Sequence, residues 1–75
     1  MQRIPVSSSN LAAVGYDDAG RVLEVEFNNG AVYQYKQVPR AIFDDLITTA
    51  NTGGSVGQYF NQHVKKAGFT YVQIR

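Results

Sequence analysis

A few cations and tyrosines are the side chains in this sequence whose types and spacing point to chemistry. Lys36 and Arg40 flank Val38-Pro39, Lys65-Lys66 close a helical stretch, and Arg75 ends the chain. Cations gathered at element ends can hold phosphate, with a salt-sensitive affinity as the signature. The bland role for the same residues is to complement a helix dipole or to be solvated. Tyr33 and Tyr35 form a Tyr-x-Tyr pair, and Tyr59 stands beside Phe60. An exposed tyrosine can stack a nucleobase for ~1–3 kcal/mol, whereas a buried one is core with at most its hydroxyl at the rim. The candidate nucleic-acid-binding set is therefore Lys36, Arg40, Lys65, Lys66, Tyr35 and Tyr59.

Catalytic and metal chemistry have little to work with. His63 is the single histidine and there is no cysteine. A metal or catalytic site needs a second His or a placed carboxylate near it, and Asn61 and Gln62 are its neighbours. His63 falls four residues after Tyr59, which reads as a partly buried structural imidazole, and Asn61 reads as a structural side chain bonding backbone. Asp17-Asp18 suits a turn and Asp44-Asp45 a solvated helix face; neither has calcium-loop spacing. Gly53-Gly54-Ser55 lacks the lysine and preceding strand of a phosphate loop. No nucleophile–base pairing is recognisable. The expectation is a non-enzymatic chain with no metal and no cofactor.

These residues need elements to position them, and the clearest is a hairpin. Leu23, Val25 and Phe27 alternate with Glu24 and Glu26, the period of a half-buried strand. Val32 to Tyr35 is rich in residues that suit a pleated surface. Asn28-Asn29-Gly30 lies between, and its length sets the register. A two-residue turn would put both tyrosines on the glutamate face. A three-residue loop, with Gly30 as the left-handed bulge residue, pairs Val25 with Tyr33 and Leu23 with Tyr35. That collects apolar side chains on one face and leaves Glu24, Glu26, Gln34 and Lys36 on the other, so it is the preferred register.

Before the hairpin, Leu11 to Tyr16 reads as a first strand, followed by the turn Asp17-Asp18-Ala19-Gly20. Residues 1–8 read as a leading arm and residues 9–74 as the core of a single domain. After the hairpin, Val38-Pro39 starts a helix, with Pro at its first position. Ile42, Phe43, Leu46, Ile47 and Ala50 form its apolar stripe. Asn51-Thr52-Gly53-Gly54 stops it. Ser55-Val56-Gly57-Gln58 has capping-box spacing, and Val56, Tyr59, Phe60, His63, Val64 and Ala67 continue at helical period. Gly57 costs roughly 1 kcal/mol there relative to Ala, which points to something packed against it. Gly68 suits a C-terminal cap, and Phe69 to Ile74 reads as a final strand. The order is β-β-β-α-α-β. The fold class is α+β: a small antiparallel meander of three strands plus a C-terminal strand, with two helices on one face.

Length and composition bound the rest. A chain of 75 residues buries only about 60% of its unfolded surface. The formal net charge is +1, too balanced to imply nucleic acid by itself. Absence of cysteine fits a cytoplasmic location. No apolar run approaches a membrane span, and Met1 to Pro5 has no signal-peptide core.

With the pieces placed, the chain resembles the KTSC domain family, a small domain at the C-terminus of some lysyl-tRNA synthetases and in stand-alone bacterial proteins. The resemblance covers about residues 8 to 71. It is carried by Ser8-Ser9-Asn10-Leu11, Val14-Gly15-Tyr16-Asp17, Leu23-x-Val25-x-Phe27-x-Asn29-Gly30 and Val32-Tyr33-x-Tyr35. Val38-Pro39 and Gly57-x-Tyr59-Phe60-Asn61-x-x-Val64-Lys65 complete it. The family usually has Ile-Arg at Val64-Lys65, and Lys is the poorer bidentate phosphate binder. The resemblance implies no activity; the synthetase fusion points to RNA. The expected function is thus a small binding module for RNA or another polyanion, with Lys36, Arg40, Lys65 and Lys66 on phosphates and Tyr35 or Tyr59 at an aromatic rim. The rival is a protein–protein or self-associating module. In that reading the unprotected edge at Leu11 to Val14 pairs with another chain.

Overall fold

The hairpin forms in the bulged register. The computed structural model describes every residue from Met1 to Arg75. Strands β3 (Val22–Phe27) and β4 (Val32–Tyr35) pair antiparallel with Leu23 opposite Tyr35 and Val25 opposite Tyr33. Phe27 N–H donates to Ala31 C=O (2.8 Å) and Gly30 N–H to Phe27 C=O (2.9 Å). Gly30 sits at φ +91°, so glycine closes the loop without steric cost.

The sheet is wider than the sequence implies. Five antiparallel strands run in the order β1-β2-β3-β4-β5. β2 (Leu11–Asp17) is the expected first strand, and β5 (Tyr71–Gln73) is the expected last one, pairing with β4. The new member is β1 (Arg3–Pro5), which pairs with β2 through Arg3–Gly15, Ile4–Val14 and Pro5–Ala13. Residues 1–8 are therefore not simply an arm, and the edge at Leu11 to Val14 is not open. Two contacts hold β1 in place. Arg3 reaches Glu24 (3.2 Å) and Glu26 (3.6 Å) on the face away from the helices. Gly15 lets the backbone come close, since a Cβ there would lie 2.7 Å from the Gln2 carbonyl oxygen.

Helix α1 (Arg40–Asn51) is capped by Pro39 in extended geometry, one position earlier than expected. Gly53, at φ +78°, ends it. Ser55 Oγ accepts from Gln58 N–H (3.2 Å) and starts α2, which is α-helical only over Val56–Phe60. A π-helical turn, Asn61–Lys65, continues it, with Lys66 N–H donating to Asn61 C=O (3.0 Å). Gly68 then takes φ +84°. Both helices cover the apolar face of the sheet. Val14, Leu23, Val25, Val38, Leu46 and Val64 have no exposed surface and form the core with Phe43, Val56 and Phe60. No helix is long and apolar enough to cross a membrane.

The link from β4 to α1 is pinned to the β2–β3 turn. Tyr16 stacks on Phe43 with centroids 5.5 Å apart, and its hydroxyl donates to the Val38 carbonyl. Val38 N–H donates to Arg21 C=O (2.9 Å). Arg21 and Gln37 pass through left-handed φ values of 54° and 56° to make this junction. Such conformations cost of order 1 kcal/mol each and persist where surrounding contacts fix them. Tyr16→Phe leaves the Val38 carbonyl without that donor. It is expected to cost about 1–2 kcal/mol, lowering the thermal midpoint by roughly 4–8 °C per kcal/mol in a domain of this size. An unchanged midpoint in a circular-dichroism melt would show that the hydroxyl does not hold the junction.

Candidate functional site

An open groove of about 1090 Å³ runs between the β4–β5 end of the sheet and α2 with its π-helical turn. Strand alternation builds its floor. Tyr33 and Tyr35 leave β4 on the helix side, and Tyr71 leaves β5 beside them because it pairs with Tyr35. The ring centroids lie 5.7 Å apart for Tyr33–Tyr71, 5.4 Å for Tyr35–Tyr71 and 6.3 Å for Tyr33–Tyr35. Phe60 meets Phe27 and Tyr35 edge-on from the helix, 5.6 Å from each. These are the separations aromatic pairs prefer.

The rings differ in access. Tyr35 is 5% exposed, while Tyr71 is 59% exposed and presents much of its ring to solvent. Burial, followed by the neighbouring Tyr33 and Tyr71 hydroxyls, pushes the Tyr35 phenol up to about 12, so it stays a neutral floor residue at physiological pH. Tyr33 is half-buried and its hydroxyl donates to Gln73 Oε1 (3.2 Å). Asn10, Gln58 and Asn61 line the groove, are exposed, and make no side-chain hydrogen bond within the protein. Lys65 is the single charged residue of the lining. Gly57 lines it too, with Asn10 Nδ2 and Ser8 Oγ about one van der Waals contact from where a Cβ would be (3.5 and 3.6 Å). The loop before β2 therefore leaves room for a methyl group here, and close packing does not account for the glycine.

Of the six candidate residues, the groove brings together Lys65 and Tyr35. Lys36 follows Tyr35 and donates its backbone N–H to Thr70 C=O (2.7 Å), at one end of the β4–β5 pair. Lys66 is exposed just past the π-helical turn. Neither lysine, nor Lys65, takes part in the ion pairs of the structure. Arg40 goes elsewhere. Its guanidinium is paired with Asp18 and with Asp44 (3.4 Å) and lies over the Tyr16 and Phe43 rings, 6.0 and 5.8 Å from their centroids. The Asp18 hydrogen bond and charge, aided by Asp44, raise its pKa further and leave it committed. Tyr59 also faces away from the groove. Its hydroxyl donates to Asp45 Oδ2 (2.8 Å), and burial with this carboxylate pushes its phenol up to about 12.

Three sequence expectations are corrected here. Tyr35 is too enclosed to act as an aromatic rim. His63 is exposed, stacked on Tyr59 at 4.3 Å, because the helix stretch carrying both faces solvent beside α1. The Asn61 side chain bonds no backbone and projects along the groove, while its carbonyl takes the π-helical bond. Tyr71 was missed as a site residue. The alternation Phe69-x-Tyr71-x-Gln73 was the available signal for its face, but only the pairing with β4 shows which aromatics it joins.

Comparison with known proteins gives the family and the fold. The KTSC domain model matches residues 7–69. An uncharacterised protein of Stutzerimonas stutzeri is 38% identical over 74 residues, spanning 99% of both chains. The crystal structure of a KTSC domain protein from Yersinia pestis is 36% identical, with a TM-score of 0.81 over 99% of this chain and 97% of that one. A lysine–tRNA ligase of Nostoc punctiforme is 36% identical over 50 residues, which are 67% of this chain but 8% of the ligase. The family model spans β2 to the π-helical turn and ends before β5, while the full-length relative and the solved fold span nearly the whole chain, and the chain belongs to the KTSC domain family.

Proposed function

We propose that this chain is a non-enzymatic RNA-binding module whose site is the aromatic groove between β4–β5 and α2. The observation that carries the reading is one arrangement: exposed Tyr71 and unpaired Lys65 line the same groove. An exposed ring offers a base-stacking platform and an unpaired ammonium a phosphate contact. Lys36 and Lys66 are also free of ion pairs but lie outside the groove lining. The similarity to a segment of lysine–tRNA ligases, proteins named for a tRNA substrate, supports the same direction. Arg40 and Tyr59 have no part in it.

Amide NMR spectra recorded with a short single-stranded RNA test the site. Shifts are expected on Tyr33, Gln58, Asn61, Lys65 and Tyr71, with Arg40 and Asp44 still. Tyr71→Ala is expected to weaken affinity by roughly 5- to 150-fold, the equivalent of ~1–3 kcal/mol for one stacked base. A spectrum that does not move, or affinity that ignores Tyr71, would remove the RNA reading.

One observation favours a second reading, association with another protein chain or with itself. β5 is an edge strand with Tyr71 and Val72 exposed, exposed Ile74 just past it, and neither Pro nor Lys within it. The opposite edge, β1, carries Pro5 and the inward-turned Arg3. In this reading the pairing surface is β5, and concentration-dependent NMR line widths without RNA would reveal it.

A further inference from the structure

We infer that the groove recognises the bases of single-stranded RNA and holds its backbone through about one phosphate. This rests on the RNA reading and deepens it, because the chemistry of the lining is not that of a polyanion clamp. The lining has one charged side chain, Lys65, and no carboxylate. Arg40 is neutralised by Asp18 and Asp44 on another part of the molecule. What the groove offers in quantity is hydrogen-bonding groups without a net charge.

The side chains of Asn10, Gln58 and Asn61 are free, and each carries two N–H donors and a carbonyl acceptor. Paired donor and acceptor groups of this kind match the edges of nucleobases, which present the same groups side by side. The backbone adds more. Lys36 N–H bonds Thr70 C=O, and Ile74 N–H bonds Val32 C=O (2.8 Å). Inward bonds alternate along an antiparallel strand, so Thr70, Val72 and Ile74 face β4 and the N–H and C=O of Tyr71 and Gln73 point off the free edge. The residue whose ring is available for stacking therefore also presents an unpaired backbone donor and acceptor. A base on Tyr71 has the free amides across the groove and the strand edge alongside. A peptide could use the edge, but an acidic one would find a single cation in the groove. An apolar one would leave the three amides facing no partner.

The closing experiment measures affinity for r(A)6, r(C)6 and r(U)6, inorganic polyphosphate and hexaglutamate, from about 20 to 300 mM KCl, with the full chain. Single-stranded binding loses log K with log salt at about −0.7 per phosphate neutralised. The expected result is a slope shallower than about −1.4, the two-phosphate value. The three RNAs should differ in affinity by at least about fivefold, and Asn61→Ala should shrink that difference. Polyphosphate and hexaglutamate should not compete. RNA binding with a slope near −2.8, equal for all three sequences and displaced by polyphosphate, would overturn base recognition while leaving the RNA function standing. Hexaglutamate binding in place of RNA, or no RNA binding at any salt, would overturn both.

Discussion

Phe60→Ala is expected to remove a large share of the stability of this domain. The ring is 4% exposed and bridges the helical layer to the sheet through its edge-on contacts with Phe27 and Tyr35. Truncating a buried Phe to Ala costs about 3–5 kcal/mol, through lost transfer energy and the cavity left behind. A domain of this length has roughly 4–11 kcal/mol in total. Urea denaturation of the variant should therefore show a midpoint lowered by at least about a quarter of the parent value, and near zero if the parent lies at the low end of that range. The neighbouring substitution Tyr59→Phe is the internal contrast. It removes an exposed hydroxyl bond to Asp45 and keeps the ring on His63, so it should cost under about 1 kcal/mol. A Phe60→Ala loss as small as that of Tyr59→Phe would mean that α2 does not depend on this ring, and that the groove wall is held some other way. Folded-state binding by Phe60→Ala should be measured only at temperatures where it remains folded, because the same ring supports the floor under Tyr35 and Tyr71.

The difference between these two adjacent residues shows what can be read from the sequence. The apolar period of the second helix puts Tyr59, Phe60, His63 and Val64 on one broad stripe. The structure splits that stripe: Phe60 and Val64 go inward, while Tyr59 and His63 stack outside against α1. The π-helical turn that follows keeps the four-residue interval between Phe60 and Val64, so the sequence carries no mark of it. The hairpin, by contrast, was fully legible. Its two registers differ in which face receives Tyr33 and Tyr35, and burial favours one strongly. The charged site was legible only in part. Whether Arg40 is free or neutralised is decided by Asp18, 22 positions earlier on a turn that reaches it only in the folded chain. Lys65 has no such partner and is the one cation of the set that the groove includes. Tyr71 stayed hidden because its surroundings depend on which strand β5 joins.

The least legible element is β1, and Gly15 provides its largest test. Arg3-Ile4-Pro5 is three residues long and contains a proline, so local propensity argues against a strand. It forms one because it meets a β2 backbone that has no side chain in the way at Gly15. Gly15→Val would set a Cβ 2.7 Å from the Gln2 backbone oxygen and add two methyl groups beyond it, beside Arg3 Cγ. Backbone cannot yield as a flexible side chain does, so β1 is expected to detach. The change then costs about 2–3 kcal/mol, the upper range for overpacking, since Arg3 leaves Glu24 and Glu26 as β1 departs. Glu24 is 7% exposed and would keep only Gln34 Nε2 (2.8 Å) as a partner. Amide exchange separates this local event from general unfolding. Val6 N–H, now bonded to Ala12 C=O (3.0 Å), should lose its protection while Leu23 and Val25 in the central hairpin keep theirs. Protection retained at Val6 would show that the sheet absorbs the methyl groups without releasing β1. Detachment has a further consequence, because it uncovers β2 from Leu11 to Val14, a strand with neither Lys nor Pro to discourage pairing. The self-association that the sequence alone suggests for this edge is then expected of the Gly15→Val protein, as concentration-dependent dimers in sedimentation, and the parent should show none through β2.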